Sequence, residues 1–238
     1  MTNKDLKEPT NRRHFLGTLA TGAAAVSLAS LTPSLNLHAE EKESPFSGTD
    51  DPEAWFNKIK GKHRVVFDAT ESKSPPDDIM PLAWPRIFLI TNSMTGTPDK
   101  DQSVVIVLRH AGIFYGLEDR VWSKYKLGET FKLTDRATNA PAVRNQYWKP
   151  KPGYFKVPGI GNVAIGVNEL QDSGVMFCIC NMALTVYSAI VADGMKMKPE
   201  DVYNDWKSAV FPGIQIVPSG VWAVGRAQEH GCKYIFAG

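Results

Sequence analysis

The chain has 238 residues, with 27 basic and 25 acidic side chains and a formal net charge of +2. That balance leaves no electrostatic footprint for nucleic acid or for an anionic membrane surface. Three cysteines are too few for a disulfide framework, and the odd number leaves at least one thiol unpaired within the chain.

Residues 1–39 read as a twin-arginine export signal. Arg12 and Arg13 are followed by Phe15 and Leu16, then by an Ala/Gly/Leu stretch, and Ala39 offers a small residue for cleavage. Gly, Thr and Ser interrupt the stretch from Phe15 to Leu31, which argues against a permanent span; an uncleaved anchor is the alternative. The expectation is passage through the twin-arginine translocase to the periplasm, without stable membrane insertion. The signal holds four of the basic and two of the acidic residues, so the remainder carries equal numbers of each. This route carries proteins folded in the cytoplasm, where thiols stay reduced.

Residues 40–62 are charged and read as a linker, with "AWFNKIKG" as a short helix docking through Trp55 and Phe56. The domain proper is expected over 63–238. "HRVVFDAT" is an apolar, β-branched run that suits a buried strand. In "PLAWPRIFLITNSM", Pro85 suits a first helical turn, and Phe88, Thr91 and Met94 keep helical spacing. "QSVVIVLRHAG" predicts a strand from Ser103 to Leu108, and "GLEDRVWSKYK" a helix.

From about 128 to 161 the periodicity breaks, with Pro141, Pro150, Pro152 and Pro158 among Gly153, Gly159 and Gly161. An insertion this long suggests a substrate lid or an arm packing on a neighbouring subunit. "NVAIGVNELQDSG" restores helical character and stops at Gly174. "VMFCIC" is a strand and "NMALTVYSAIVADGM" a helix; "PGIQIVPSG" is a strand and turn. "VWAVGRAQEHG" is a helix capped by Ser219 and closed by Gly231, and "CKYIFAG" is the last strand. Five short, continuously apolar strands alternating with helices predict an open, mostly parallel sheet covered on both sides, a three-layer α/β/α fold.

In such sheets ligands bind beyond the carboxyl ends of the strands. His110 and Cys180 both fall there, so neighbouring strands would set imidazole beside thiol. Cys180 also precedes a helix, whose free N–H groups and dipole favour a thiolate. Asn181 opens that helix. Strand alternation puts Cys178 on the face of Cys180, about 6.5–7 Å away at Cα, at or beyond the comfortable limit for a disulfide. Cys178 and Cys232 read as packing. Asp135, Arg136, Arg144 and Asn145 in the insertion are polar groups placed to close over the strand ends.

No C-x-x-C occurs, and no His/Cys/Asp/Glu cluster has metal-ligand spacing, so neither a metal nor another cofactor is expected. "GIGNVA" (159–164) fits G-x-G-x-x-A, but the prolines around the preceding residues deny it the buried strand a dinucleotide site needs.

"SVVIVLRHAG", "GVMFCICNMAL" and "GIQIVPSGVWAVGRAQEHGCKYIFAG" resemble the DsrE/DsrF-like (YchN-like) family of sulfur-relay proteins. The resemblance covers about residues 63–126 and 168–238 and is most specific at the end of the chain. It implies a five-stranded α/β/α domain that assembles into trimers or hexamers. It also implies that the cysteine after the third strand, here Cys180, accepts and passes on a persulfide. The export signal and the 128–161 insertion set this chain apart from the cytoplasmic pattern.

Two functions follow as expectations. In the first, a periplasmic protein binds or transfers sulfur on Cys180, with His110 tuning it and Asn181, Arg144, Asn145 and Asp135 shaping the entrance. Its partner would be a small sulfur species or another small ligand. In the second, a non-catalytic oligomer binds a small ligand or a partner, and the cysteines are buried.

Overall fold

A computed structural model describes residues 51–238. The residues read as an export signal and the first part of those read as a linker lie outside the described residues. Five β-branched and aromatic runs form one sheet: β1 (His63–Ala69), β2 (Gln102–Leu108), β3 (Met176–Cys180), β4 (Ile214–Val217) and β5 (Lys233–Phe236). Every pairing is parallel, and the spatial order is β4-β3-β2-β1-β5. A tiny antiparallel hairpin, Lys156–Val157 with Gly161–Asn162, stands apart from it.

The helices are α1 (Pro52–Phe56), α2 (Met80–Met94), α3 (Asp119–Lys124), α4 (Leu127–Thr130), α5 (Val167–Asp172), α6 (Asn181–Met195), α7 (Pro199–Ser208) and α8 (Gly220–Glu229). The chain steps from β1 to β4 in one direction, then crosses back to place β5 beside β1. Parallel crossovers are right-handed, so reversing the direction moves the connecting helix to the other face. The two cores record this. Val65, Phe67, Ile106, Leu108, Phe177 and Ile179 pack with residues of α2, α5, α6 and α7. Val66, Val105, Val107, Cys178 and Val217 pack with Trp55 and Phe56 of α1 and with Ala223 and Ala227 of α8. The result is the three-layer α/β/α arrangement with both sheet faces covered.

Residues 52–59, read as part of a linker, belong to this packing: Trp55, Phe56 and Ile59 are all buried. Helix α2 begins earlier than Pro85 implies. A 3-10 turn over Asp77–Ile79 leads straight into it, Pro81 takes the first turn, and Pro85 lies inside. With no N–H, Pro85 leaves the Pro81 carbonyl without its usual helical partner. Helix α7 was not anticipated, although Pro199 followed by Glu200 and Asp201 is a helix-start signature.

The insertion packs on its own domain. Leu133, Ala142, Tyr147 and Phe155 join the first core. The Tyr147 ring packs 4.6 Å from Tyr115 and stacks 5.8 Å from Phe155, and Trp148 stacks on Phe211 at 4.1 Å. Burying such rings contributes about 2–3 kcal/mol each, enough to hold an aperiodic segment on its own domain. Among the described residues no helix is long and apolar enough to cross a membrane.

Candidate functional site

Leu108 of β2 pairs with Ile179 of β3; Arg109 follows β2 directly, and Cys180 ends β3 opposite Val217 of β4. Cys180 becomes the N-cap of α6: its backbone is extended (φ −73°, ψ 112°), and its Sγ accepts the Ala183 N–H at 3.2 Å. It is 6% exposed and packs with the first core, whereas Cys178 lies in the second. The expectation of one shared face is corrected here. At its last residue the strand turns into the helix, and the cap geometry overrides strand alternation.

Cys178 and Cys232 are packing groups. Complete burial pushes the Cys178 thiol far up, and any charge on Cys180 pushes it further. Burial raises Cys232 to about 11 against the pull of Arg64. All three thiols are free and buried.

His110 is exposed at the surface, in a left-handed conformation with φ 50°. Its Nδ1 lies 3.2 Å from the Thr70 carbonyl oxygen, and its ring meets Tyr187 edge-on at 5.5 Å. The strands are neighbours as expected, but His110 lies two residues beyond Leu108, whose partner Ile179 precedes Cys180, and the paired residue opposite Cys180 is Val217 of β4.

Arg109 is held on three sides. Its Nε and Nη2 donate to the two oxygens of Asp68 at 2.6 and 2.7 Å, a forked pair that fixes the guanidinium plane. The Asp68 carboxylate is almost wholly buried and also accepts the Tyr234 hydroxyl at 2.9 Å. Along its stem Arg109 lies against Gly220, where a Cβ would collide with the Arg109 side chain. The hydrogen bonds from Arg109 to Asp68, then the nearby charges of Asp68, Tyr234 and Cys180, hold its proton more firmly than usual, against the effect of burial. Arg109 Nη1 has no protein partner among the described residues.

Gly220 opens α8, capped by Ser219, whose Oγ accepts the Trp222 N–H at 3.2 Å. The N-terminus of α8 thus abuts Arg109, and that of α6 begins at Cys180. Asp68, Arg109, Tyr234 and Gly220 come from four elements, and no local motif announces them.

The remaining expected site residues all have partners within the chain. Asn181 Oδ1 accepts the Tyr203 hydroxyl at 2.7 Å, tying α6 to α7. Asn145 is buried, and its Nδ2 donates to the carbonyls of Phe114, Tyr115 and Leu117 at 3.1, 3.0 and 2.8 Å. Its Oδ1 accepts the Tyr147 N–H at 2.9 Å, which leaves little capacity for a ligand. Asp135 caps its own turn through the Ala137 N–H and pairs with Arg144 at 3.2 Å. Arg144 also lies over the Tyr154 ring. These contacts brace the insertion, and the insertion residues do not join Cys180. Arg136 pairs with the fully buried Asp78, which also accepts the Tyr147 hydroxyl.

Among the described residues no group of three or more His, Cys, Asp or Glu side chains is arranged to hold a metal. The chain matches no family model. It matches none of the curated proteins. Among solved structures it is similar to a protein of unknown function, MTH1491, from Methanobacterium thermoautotrophicum. The identity is 19% and the TM-score 0.35, over 73% of this chain and 98% of that one.

Proposed function

We propose that this chain is an exported, periplasmic DsrE-like protein that binds or transfers sulfur as a persulfide on Cys180. The observation that carries the reading is the position of that thiol. It ends a parallel strand and caps a 15-residue helix through the Ala183 N–H. A backbone N–H already donates to that sulfur at 3.2 Å, at the start of the helix.

The transfer is redox-neutral. The Cys180 thiolate attacks the outer sulfur of a donor persulfide, R–S–SH. A new S–S bond forms at Cys180, the donor's S–S bond breaks, and its electron pair leaves with R–S⁻. The outer sulfur keeps its proton.

A homo-oligomer, trimeric or hexameric, is part of the proposal. Met182, Val186 and Ile190 recur every fourth residue along α6 and are 57%, 51% and 51% exposed, an apolar stripe beginning two residues from Cys180.

The test is intact mass after treatment with a persulfide donor. A gain of one sulfur atom in the native protein, absent in Cys180→Ser, is expected; equal gain in that variant removes the reading. The burial of all three thiols favours a second reading, a non-catalytic binding module. In that case no thiol takes up sulfur before unfolding.

A further inference from the structure

We infer that the outer edge of β5 is a self-association surface: a second copy of this chain lays its own β5 antiparallel against it, across a two-fold axis at Ile235, and joins the two sheets. This surface is separate from the α6 stripe and independent of the chemistry at Cys180.

β5 ends the sheet and pairs with β1 alone. Its register sets Tyr234 beside Val66, Ile235 beside Phe67 and Phe236 beside Asp68. Tyr234 and Phe236 therefore project on the side of the second core, and Ile235 on the side of the first. Yet Tyr234 is 45%, Ile235 38% and Phe236 56% exposed. The helix layers leave this strand bare, so large apolar side chains stand uncovered on both faces of one sheet edge.

The backbone specifies what covers them. The Ala237 N–H donates to the Asp68 carbonyl at 3.0 Å, so by strand alternation Lys233, Ile235 and Ala237 turn their N–H and C=O groups toward β1. Tyr234 and Phe236 turn theirs outward, where no strand among the described residues meets them. Such an edge is a template for another strand.

A second copy is complementary to it. Antiparallel pairing about Ile235 sets Tyr234 against Phe236 of the second copy, and Phe236 against its Tyr234. Both are hydrogen-bonded pairs that exchange two N–H···O bonds, and both set aromatic against aromatic, a stabilising cross-strand combination. Ile235 meets its own copy at the axis. Lys233, the one charged residue of the strand, faces Ala237 of the second copy, so like charges do not stand opposite each other. The three apolar side chains expose roughly 300 Å² per copy, about half of what such side chains carry. A standard interface takes about 800 Å² from each partner. The contact is therefore weak and reversible, with a dissociation constant on the order of 100 μM.

The test is amide hydrogen exchange together with sedimentation velocity on the full chain, from about 1 μM to about 1 mM. The Tyr234 and Phe236 amides are expected to exchange about fivefold more slowly at the upper end, as the mass moves toward twice its value at the lower end. Phe236→Pro removes one outward N–H and leaves those facing β1 in place, and Phe236→Lys keeps the backbone but puts a cation in the aromatic pair. Both variants are expected to stay folded and to lose the doubling, whereas Val186→Glu on α6 is expected to keep it. Amides at 234 and 236 that exchange equally fast across the range overturn the inference, as does a doubling that persists in both Phe236 variants. A mass that stays constant while the two amides are slow at every dilution shows the edge covered from within the chain, by residues 1–50, and overturns it as well. A doubling lost in Val186→Glu and kept in the Phe236 variants assigns association to the α6 stripe instead.

Discussion

Gly220 and Arg109 are packed so closely that no side chain beyond hydrogen fits between them. Gly220→Ala should therefore push Arg109 off Asp68 and cost about 1–3 kcal/mol by overpacking. Gly225, in the interior of the same helix, has open space where its Cβ would stand. Gly225→Ala should stabilise by about 0.5–1 kcal/mol, the ordinary helical gain over glycine. Urea unfolding of the two variants checks the opposite signs; a harmless Gly220→Ala would mean that Arg109 has another place to go.

Asn145 fastens the insertion to the segment that follows β2. One amide group serves three carbonyls, and its oxygen takes a fourth backbone partner. Asn145→Ala should cost about 2–4 kcal/mol, because buried carbonyls lose their donor in a site closed to water. Limited proteolysis of the variant is expected to cut first between residues 128 and 161. A cut elsewhere would show that the insertion is held by its aromatic rings alone.

Asp205 sets an acid limit. Burial works to raise its carboxyl, but hydrogen bonds from Lys124, Tyr125 and Arg120 outweigh that and bring it down to about 2. The folded value lies below the ordinary 3.8, so the contribution is complete above 3.8 and is lost as pH falls toward about 2. With two exposed cationic partners it is about 1 kcal/mol. Asp205→Asn should flatten the fall of stability over that window, and parallel pH–stability curves for variant and wild type would rule the contribution out.

The α6 stripe gives an assembly prediction. Val186→Glu or Ile190→Glu places a charge on a half-exposed apolar side chain that supports no core of its own subunit. Light scattering should show the oligomer shifted toward monomer, with the unfolding free energy of the monomer unchanged within about 1 kcal/mol. A wild-type monomer at micromolar concentration would remove the proposed assembly.

The sheet was readable because its signal is local. Runs such as "VVIVL" and "VMFCI" declare buried strands, and Ser219 and Gly231 mark the ends of the last helix. The place of Cys180, the last residue of a strand before a helix, is local in the same way. The contacts of His110 with the Thr70 carbonyl and the Tyr187 ring are not, because they join segments far apart in the chain. Asp68, Arg109 and Tyr234 are brought together by pairing among three strands, which no periodicity within a strand encodes. The insertion was opaque because aperiodic aromatics such as Tyr147 and Trp148 report burial but not against what.

The return of β5 to the side of β1 has a consequence for synthesis. β1 is complete once residue 69 has been made, yet its second neighbour arrives with residues 233–236. Until then the edge of β1 is open, and Asp68 lacks the Tyr234 hydroxyl. The nascent chain carries an unfinished parallel sheet from the completion of β1 until residues 233–236 are available, a window in which a chaperone has an uncovered strand edge to hold.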